Sequence, residues 1–383
     1  MRAPVAAVER GVRVEWISTP SELEAIETAW RDLEAEVHQR THVATFDFLA
    51  TWYRHYAGDY GGTPLVGLAW HGSELAGVAP LTIRCGRLGR IPVTRIDFAP
   101  NDSVAGEFLV RDGQPEVAAA LLDSLVRRVR FDVICLNGFP PDSGELLAVQ
   151  DAARQRRLST ELEDHAYTQV DLRSGYDQYR AALSGNTRRK VAQKERRIQA
   201  LGASVEGVLP ADAWHHTEET MHRLIAINEA SYKLRGERLA GHHRAFLTEI
   251  VERFAARHML SLPILSIDGR DAAYILGVVE RGCFYDVGLA YDDAFAHLGP
   301  GVYLMQQTLR GLAGAGVHTV VSHGAHEYKR HWATAFVPQT RIFLFSSRPR
   351  AAAARLLRFH LQPLWQRLSA RAGLPRHDAP STD

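Results

Sequence analysis

Apolar positions recur along this chain with two spacings, one suited to strands and one to helices, and their succession outlines the elements. Val12 to Ser18 reads as a first strand. Ser21-Glu22-Leu23-Glu24 is a capping-box pattern that opens a helix, and Leu23, Ile26, Trp30, Leu33 and Val37 give that helix one buried face. Phe46 to Tyr56 reads as a second, aromatic-rich helix. Pro64–Trp70 and Leu75–Ile83 are strands joined by the hairpin turn His71-Gly72-Ser73-Glu74. Short strands follow near Arg95–Phe98 and Glu107–Val110, then a helix from Glu116 to Val129 and a strand from Asp132 to Leu136.

The same order returns in the second half. Leu262–Ile267 and Ala272–Val279 are strands joined by Asp268-Gly269-Arg270-Asp271. Cys283–Leu289 is a strand, Gly301–Ala313 a helix and Val317–Ser322 a strand. Residues 71–78 and 268–275 share one layout: a polar residue, Gly, two polar residues, then apolar residues. Two copies of one αβ unit follow from this. Between them lie helices at Tyr176–Leu183 and Thr187–Leu201, broken by Gly185-Asn186, and at Ala211–Tyr232 and His242–Arg257. The polar stretch Asp151–Asp164 marks the boundary between halves. The expected organisation is residues 1–155, residues 156–347, and a basic C-terminal helix and tail at 348–383. From Arg348 to Arg376 there are seven arginines and no acid, interleaved with Leu356, Leu357, Phe359, Leu361, Leu364 and Trp365. A last helix packing its apolar stripe on the core is the expectation. Contact with a membrane surface or an anionic carrier is the alternative.

Composition narrows the class. Over 383 residues, 46% apolar and 23% charged side chains exclude a disordered chain, a collagen-like chain and a membrane-embedded bundle. A net charge of +1 means that whole-protein charge does not drive binding to nucleic acid, and no DNA partner is expected. Cys85, Cys135 and Cys283 are far apart and form no Cys-x-x-Cys pair, so neither a zinc ribbon nor a disulfide framework is suggested. His215-His216 and His242-His243 are adjacent pairs that point to different helix faces, and no metal site is expected. The N-terminus lacks a signal-peptide apolar run and no stretch is long and apolar enough to span a membrane, so a cytoplasmic protein is expected.

Two segments carry chemistry. Tyr291-Asp292-Asp293-Ala294-Phe295-Ala296-His297-Leu298-Gly299-Pro300-Gly301-Val302-Tyr303-Leu304 follows a strand and opens a helix. Its two glycines permit close approach of a ligand, and the N–H groups of the helix start can hold a phosphate. Gly324-Ala325-His326-Glu327-Tyr328-Lys329-Arg330-His331-Trp332 follows the next strand, where open αβ sheets place ligands. A short amphipathic helix with Tyr328 and Trp332 packed together is the plainer reading of it.

Together these segments resemble the CelD-like, FemAB-related branch of the GNAT acyltransferase superfamily. The resemblance rests on Tyr291-Asp292, Phe295-Ala296, Pro300-Gly301 and Gly324…Tyr328-Lys329…Trp332. It is supported by Asn186-Thr187-Arg188-Arg189-Lys190 at the start of a basic helix and by Phe46 with Trp52. It implies an α/β (α+β) fold of tandem GNAT-like lobes, each a mixed β-sheet flanked by helices, with a helical insertion between them. It further implies that the first lobe is degenerate and the second carries the acyl-donor site. The first copy has only Asp112-Gly113-Gln114-Pro115 where the second has Gly299-Pro300-Gly301. Two departures stand out. Ala296 occupies the place of an Arg or Gln, and Val320-Val321 occupies a strand that carries an acid in relatives.

The activity so implied is acyl transfer from acyl-CoA to an amine on a small molecule or a carrier. Gly299, Gly301, Val302 and Tyr303 are the candidates for holding the pyrophosphate, and a backbone N–H near Val287–Leu289 is the candidate for polarising the thioester carbonyl. Candidate bases are Asp286, His323 and Glu327; candidate acids are Tyr285, Tyr303 and Tyr328. Lys329 and Arg330 are candidates for binding donor phosphates or an anionic acceptor. The helix Thr187–Arg197 carries six basic residues against one acid, suited to the phosphates of coenzyme A or of an RNA-borne donor. Because FemAB relatives use aminoacyl-tRNA, a tRNA-dependent aminoacyl transferase is the alternative, and a non-catalytic GNAT-like module is a third reading.

Overall fold

The computed structural model describes residues 7–9, 11–38, 40–58, 61–100, 106–210, 217–231, 241–325 and 327–365. The chain forms two compact units, residues 1–165 with 338–383 and residues 166–337. The sequence places boundaries at 155/156 and 347/348; the units divide instead inside two strands, and the closing segment from Pro338 belongs with the first unit.

In the first unit, β1 (Ala7–Glu9), β2 (Val12–Ile17), β3 (Thr63–His71), β4 (Glu74–Leu88) and β5 (Ile91–Phe98) run as an antiparallel meander. β6 (Leu109–Val110) is a short strand beside β4. β5 then pairs in parallel with β7 (Val133–Phe139), which pairs antiparallel with the unit's portion of β15 (Ala335–Phe345). Helices α1 (Pro20–Ala25), α2 (Glu27–Glu36), α3 (Phe46–Tyr56), α4 (Pro115–Arg128) and α5 (Gly144–Gln155) flank the sheet. The capping box lies two residues earlier than the sequence pattern places it. Thr19 accepts from the Glu22 amide while Glu22 accepts from the Thr19 amide, and Pro20 takes the first helical position, where its missing N–H costs nothing. The predicted single helix is also broken at Ile26, which caps α1 and starts α2.

The second unit begins within β8 (Ser159–Asp171), followed by α6 (Tyr176–Ala182) and α7 (Gly185–Gln199). Gly185-Asn186 is the first turn of α7 rather than a break; Ser184 caps it by accepting from the Thr187 amide. Then come β9 (Ser204–Glu206), α8 (Thr217–Ala230), α9 (Gly241–Ala256), β10 (Leu260–Ser261), β11 (Ile264–Ile267), β12 (Arg270–Glu280), β13 (Cys283–Tyr291), α10 (Pro300–Gly314) and β14 (Thr319–Ser322). Residues 211–216 and Tyr232 of the predicted helix Ala211–Tyr232 lie outside the described residues. The strand order is β9-β11-β12-β13-β14-β8, with β13 and β14 parallel and the other pairs antiparallel. Each unit is therefore a mixed sheet flanked by helices. Each repeats a hairpin, a third strand, a helix and a parallel fourth strand. Each completes its sheet with a strand that follows the other copy in sequence.

Beyond β15 the chain continues as α11 (Pro349–Arg355) and a further turn, and the predicted stripe packs only in part: Phe359 lies against Phe343 and Phe345, with ring centroids 5.0 and 5.9 Å apart. Ala351 and Ala354 are buried beside Phe343 and Phe345, while Leu356, Leu361, Leu364 and Trp365 are exposed, Trp365 at 65%. The arginines are paired: Arg350 with Asp132 at 2.8 Å, Arg355 with Glu161 at 2.7 Å and Arg358 with Glu163 at 2.5 Å. Small side chains let the helix approach the sheet, and ion pairs fix it there.

The face of the unit 2 sheet under α10 is apolar through Ile275, Phe284, Val320 and Val170, which pack on Leu304, Leu309 and Leu312. Gly277 leaves room for Phe284: a Cβ there would collide with the Phe284 ring and sit 3.0 Å from the Tyr285 carbonyl oxygen. Gly277→Ala is expected to destabilise unit 2 by about 1–3 kcal/mol, read as a lower urea midpoint for its unfolding. An unchanged midpoint would mean that the ring moves aside freely.

Candidate active site

The site is built where two strands part. β13 and β14 pair in parallel from Cys283↔Thr319 to Asp286↔Ser322; β14 stops there while β13 runs on to Tyr291. At the same point β13 carries a bulge. Leu276 pairs with Gly288 and Gly277 with Asp286, leaving Val287 as the extra residue. Residues 286–289 are only half-buried, although they lie in an interior strand, and a Cβ at Gly288 would meet nothing within 4 Å. This is a groove floor, with main-chain groups of β13 beyond Asp286 released from β14.

One wall is the start of α10. The loop from β13 is organised by residues of the sequence motif: the Asp292 side chain accepts from the Ala294 amide at 2.8 Å, Arg270 lies over the Phe295 ring, and Leu298 is buried. Gly299 has φ +73°, the left-handed conformation that glycine adopts without strain, and it caps α10. Pro300 contributes no N–H, and the Gly301 amide has no acceptor among the described residues. Gly301 and Val302 are accessible, whereas Tyr303 is buried and its amide lies 3.3 Å from the Gly299 carbonyl oxygen. Leu289 approaches Gly301, which puts the helix start about 10 Å along β13 from Asp286 at ~3.3 Å per residue.

Lys194 was read from sequence only as one of the six basic residues of Thr187–Arg197. It lies on α7, and a Cβ at Gly299 would collide with its Nζ, with Cε at 3.0 Å and Cδ at 3.1 Å. No carboxylate pairs with it among the described residues. The neighbouring Glu195 is instead held by Arg180 in two hydrogen bonds of 2.6 and 2.5 Å. The motif signal was a run of charge along α7; which cation reaches the turn depends on the packing of α7 against α10. A helix start without acid in its first turn, an open glycine turn and a lysine over it fit a diphosphate. Unit 1 offers no such cradle: α4 carries Glu116 in its first turn, and Asp112 beside it pairs with His38 at 2.7 Å.

The base of the groove is a polar row. Asp286, Ser322 and Thr168 are register partners on the face under α10. Ser322 donates to Asp286 Oδ2 at 2.6 Å, and Thr168 donates to the Gly324 carbonyl at 2.8 Å. Lys329 does not lie at the phosphate cradle. It is buried, 4% exposed, and its Nζ donates to Ser322 Oγ at 2.8 Å and to the His323 carbonyl. Arg330 is exposed, with its guanidinium over the Phe336 ring. Glu327 and Tyr328 belong to the 3₁₀ turn Glu327–His331, and their side chains lie outside the described residues. Trp332 is core, its carbonyl accepting from Tyr179 Oη at 2.9 Å. His323, beyond the end of β14, is pushed down to about 4 by burial and then by the Lys329 ammonium. Tyr303 is raised by burial. Among the described residues no group of three or more His, Cys, Asp and Glu could hold a metal, and no helix is long and apolar enough to cross a membrane.

Residues 185–330 match the acetyltransferase (GNAT) domain family. No curated protein matches the chain. Three solved structures share its fold. L-PGS from Bacillus licheniformis is 12% identical with a TM-score of 0.56, over 89% of this chain and 96% of that one. FemX is 11% identical with a TM-score of 0.55, over 92% and 99%. The third is the C-terminal DUF2156 domain of an Agrobacterium fabrum protein named as a lysylphosphatidylglycerol synthetase, 13% identical with a TM-score of 0.54 over 88% and 95%. At these identities the likeness establishes a shared fold, which is the mixed α/β arrangement that the sequence predicts.

The neutral state of His323 has a consequence for stability. Its folded value of about 4 lies below the ordinary 6.5, so the unfolded chain takes up the proton first as pH falls. Stability is therefore expected to fall between about pH 6.5 and pH 4, by at most ~1.4 kcal/mol per pH unit from this group. His323→Gln should flatten that part of a urea-midpoint-versus-pH curve. A curve unchanged by the substitution would count against it.

Proposed function

We propose that unit 2 is an acyltransferase that moves an acetyl or longer acyl group from acyl-CoA to an amine carried by a small molecule or a carrier. The observation that carries this reading is the turn at the start of α10: Gly299 in the left-handed conformation, the Gly301 amide with no acceptor among the described residues, and Lys194 beside them. The match of residues 185–330 to an acetyltransferase domain supports it. The thioester supplies an activated acyl carbon with a thiolate leaving group. The chain's part is to hold the diphosphate at α10, to lay the acyl end along the freed amides of Val287–Leu289, and to take a proton from the incoming amine. Asp286 is the proton acceptor we assign, because it is the carboxylate in the groove floor. Burial has removed from His323 the basicity near neutrality that would recommend an imidazole.

A second reading has its own observation. Arg188, Arg189, Lys190, Arg196 and Arg197 are exposed on α7, a surface suited to a phosphate backbone, and the FemAB resemblance implies an aminoacyl-tRNA donor. That donor predicts binding whose affinity falls steeply with salt and whose salt slope flattens when Arg188, Arg189 and Lys190 become alanine.

Calorimetric titration with acetyl-CoA separates the two. One site is expected in the wild-type protein, weakened about five- to thirtyfold by Lys194→Ala, as for loss of a charge-assisted contact of ~1–2 kcal/mol. Gly301→Trp, which covers the free amide, should abolish it. If neither short nor long acyl-CoA binds the wild-type protein, the acyl-CoA reading fails.

A further inference from the structure

The row Asp286, Ser322 and Thr168 interrupts a sheet face that is otherwise apolar, and behind it sits a buried lysine. Ser322 is 1% exposed and Lys329 4%. Groups so buried are retained only when hydrogen-bonded, and each here is. An ammonium has three donors and no acceptor. Lys329 Nζ lies 2.8 Å from Ser322 Oγ, so the hydroxyl oxygen accepts there. The hydroxyl proton is then left for Asp286 Oδ2, 2.6 Å away. Lys329 and Asp286 thus sit on opposite sides of one hydroxyl, the first donating to its oxygen and the second accepting its proton, an arrangement that suits a carboxylate. Lys329 is held independently, through the His323 carbonyl, and the turn that carries this carbonyl is tied to β8 by Thr168.

We propose that Ser322 and Lys329 are positioning residues for Asp286: Lys329 orients the Ser322 hydroxyl, and that hydroxyl holds the Asp286 carboxylate ionised in one orientation. This rests on the reading of Asp286 as the proton acceptor. A direct Lys–Asp pair would spend the carboxylate on the ammonium. A hydroxyl between them transmits the charge without a direct ion pair. The other described groups near Asp286 are these. Cys283 and Tyr285 share its strand, β12 presents Gly277 opposite it, and β8 presents Thr168 one strand further on. His323 shares the segment beyond β14 with Lys329 and is neutral near pH 7. Tyr303 on α10 is raised by burial, and Lys194 lies at Gly299.

The test reads the carboxyl itself. In protein labelled with ¹³C at the aspartate carboxyls, with Asp286→Asn supplying the assignment, the Asp286 resonance is titrated in wild type, Ser322→Ala, Ser322→Thr and Lys329→Met. Removing the hydroxyl or the cation is expected to raise the Asp286 midpoint by about one pH unit or more, and Ser322→Thr should restore it. In turnover of acetyl-CoA with an amine, Ser322→Ala should lower kcat tenfold or more with KM for acetyl-CoA within twofold. The acid limb should move toward higher pH. Ser322→Ala carries the test if Lys329→Met does not fold. An Asp286 midpoint unchanged in a folded Ser322→Ala protein overturns the proposal. If Asp286→Asn has no turnover while Ser322→Ala keeps the wild-type midpoint and kcat, the positioning role falls and the proton-acceptor reading stands. If Asp286→Asn keeps full turnover while the midpoint shifts as expected, the pair stands and the proton-acceptor reading falls.

Discussion

Parallel strands share hydrogen bonds only for as long as both strands run. β14 ends at Ser322, so the edge of β13 from Val287 onward has no strand to bond to, and the bulge at Val287 turns the local main chain as well. Buried main-chain groups without partners are costly. A sheet interrupted in this way persists where the freed groups reach water or a ligand, and residues 286–289 are only half-buried there. Two devices hold the gap open. Thr168 and the left-handed Gly324 turn the chain away at the end of β14. The loop capped by Asp292 brings α10 down beside Leu289. A continuous β13–β14 ladder would have produced a sound sheet with no groove.

Charge inside unit 2 is arranged around that opening. Glu195 is buried, and its cost is met by the bidentate Arg180, with Arg310 at 3.9 Å and also over the Tyr176 ring. Tyr176 and Tyr179 continue this network to Gln306 on α10. Breaking such a network leaves a charge stranded, which is strongly destabilising. The orientation of α7 about its own axis is fixed in this way, and with it the place of Lys194, one residue before the clamped glutamate. Cradle and clamp are the same helix seen from two sides.

The sequence made the repeating frame readable because periodicity reports which face is buried. α3 and the hairpin turns fall where the spacing puts them. It misplaced features decided by single hydrogen bonds: the cap at Thr19 instead of Ser21, and the helix start at Ser184 instead of after Asn186. It read the C-terminal stripe only in part: Phe359 packs on the core, but Ala351, Ala354 and ion pairs take the place of its leucines. Of the site, Gly299, Gly301 and Asp286 were legible, since a glycine turn before a helix and an acid in an apolar strand are anomalies within the chain itself. Lys329 was visible as a residue but not as a buried one, Lys194 only as one of six basic residues on its helix, and Ser322 only as the end of a strand. Their roles come from register across β13 and β14 and from the packing of α7 on α10, which no local pattern encodes.

The two units carry the same frame, and that makes the difference between them informative. In unit 1 the parallel pair is β5 and β7, joined through α4, with Ile96 opposite Ile134 where unit 2 has Phe284 opposite Val320. One step further along the same face, unit 2 places Asp286, Ser322 and Thr168. Unit 1 places Phe98, Leu136 and Ile342, all buried in its apolar core. Gly106 closes on the Phe98 ring, and its carbonyl lies against Gly138, so this end of the sheet is packed shut. At the helix start, unit 1 has an acid where unit 2 has none. A buried polar row is harder to maintain than an apolar one, since every member must be hydrogen-bonded. A fold that can be completed with Phe, Leu and Ile at these positions does not require Asp, Ser and Thr for stability. Their presence in unit 2 alone is what the proposed role of Asp286 accounts for.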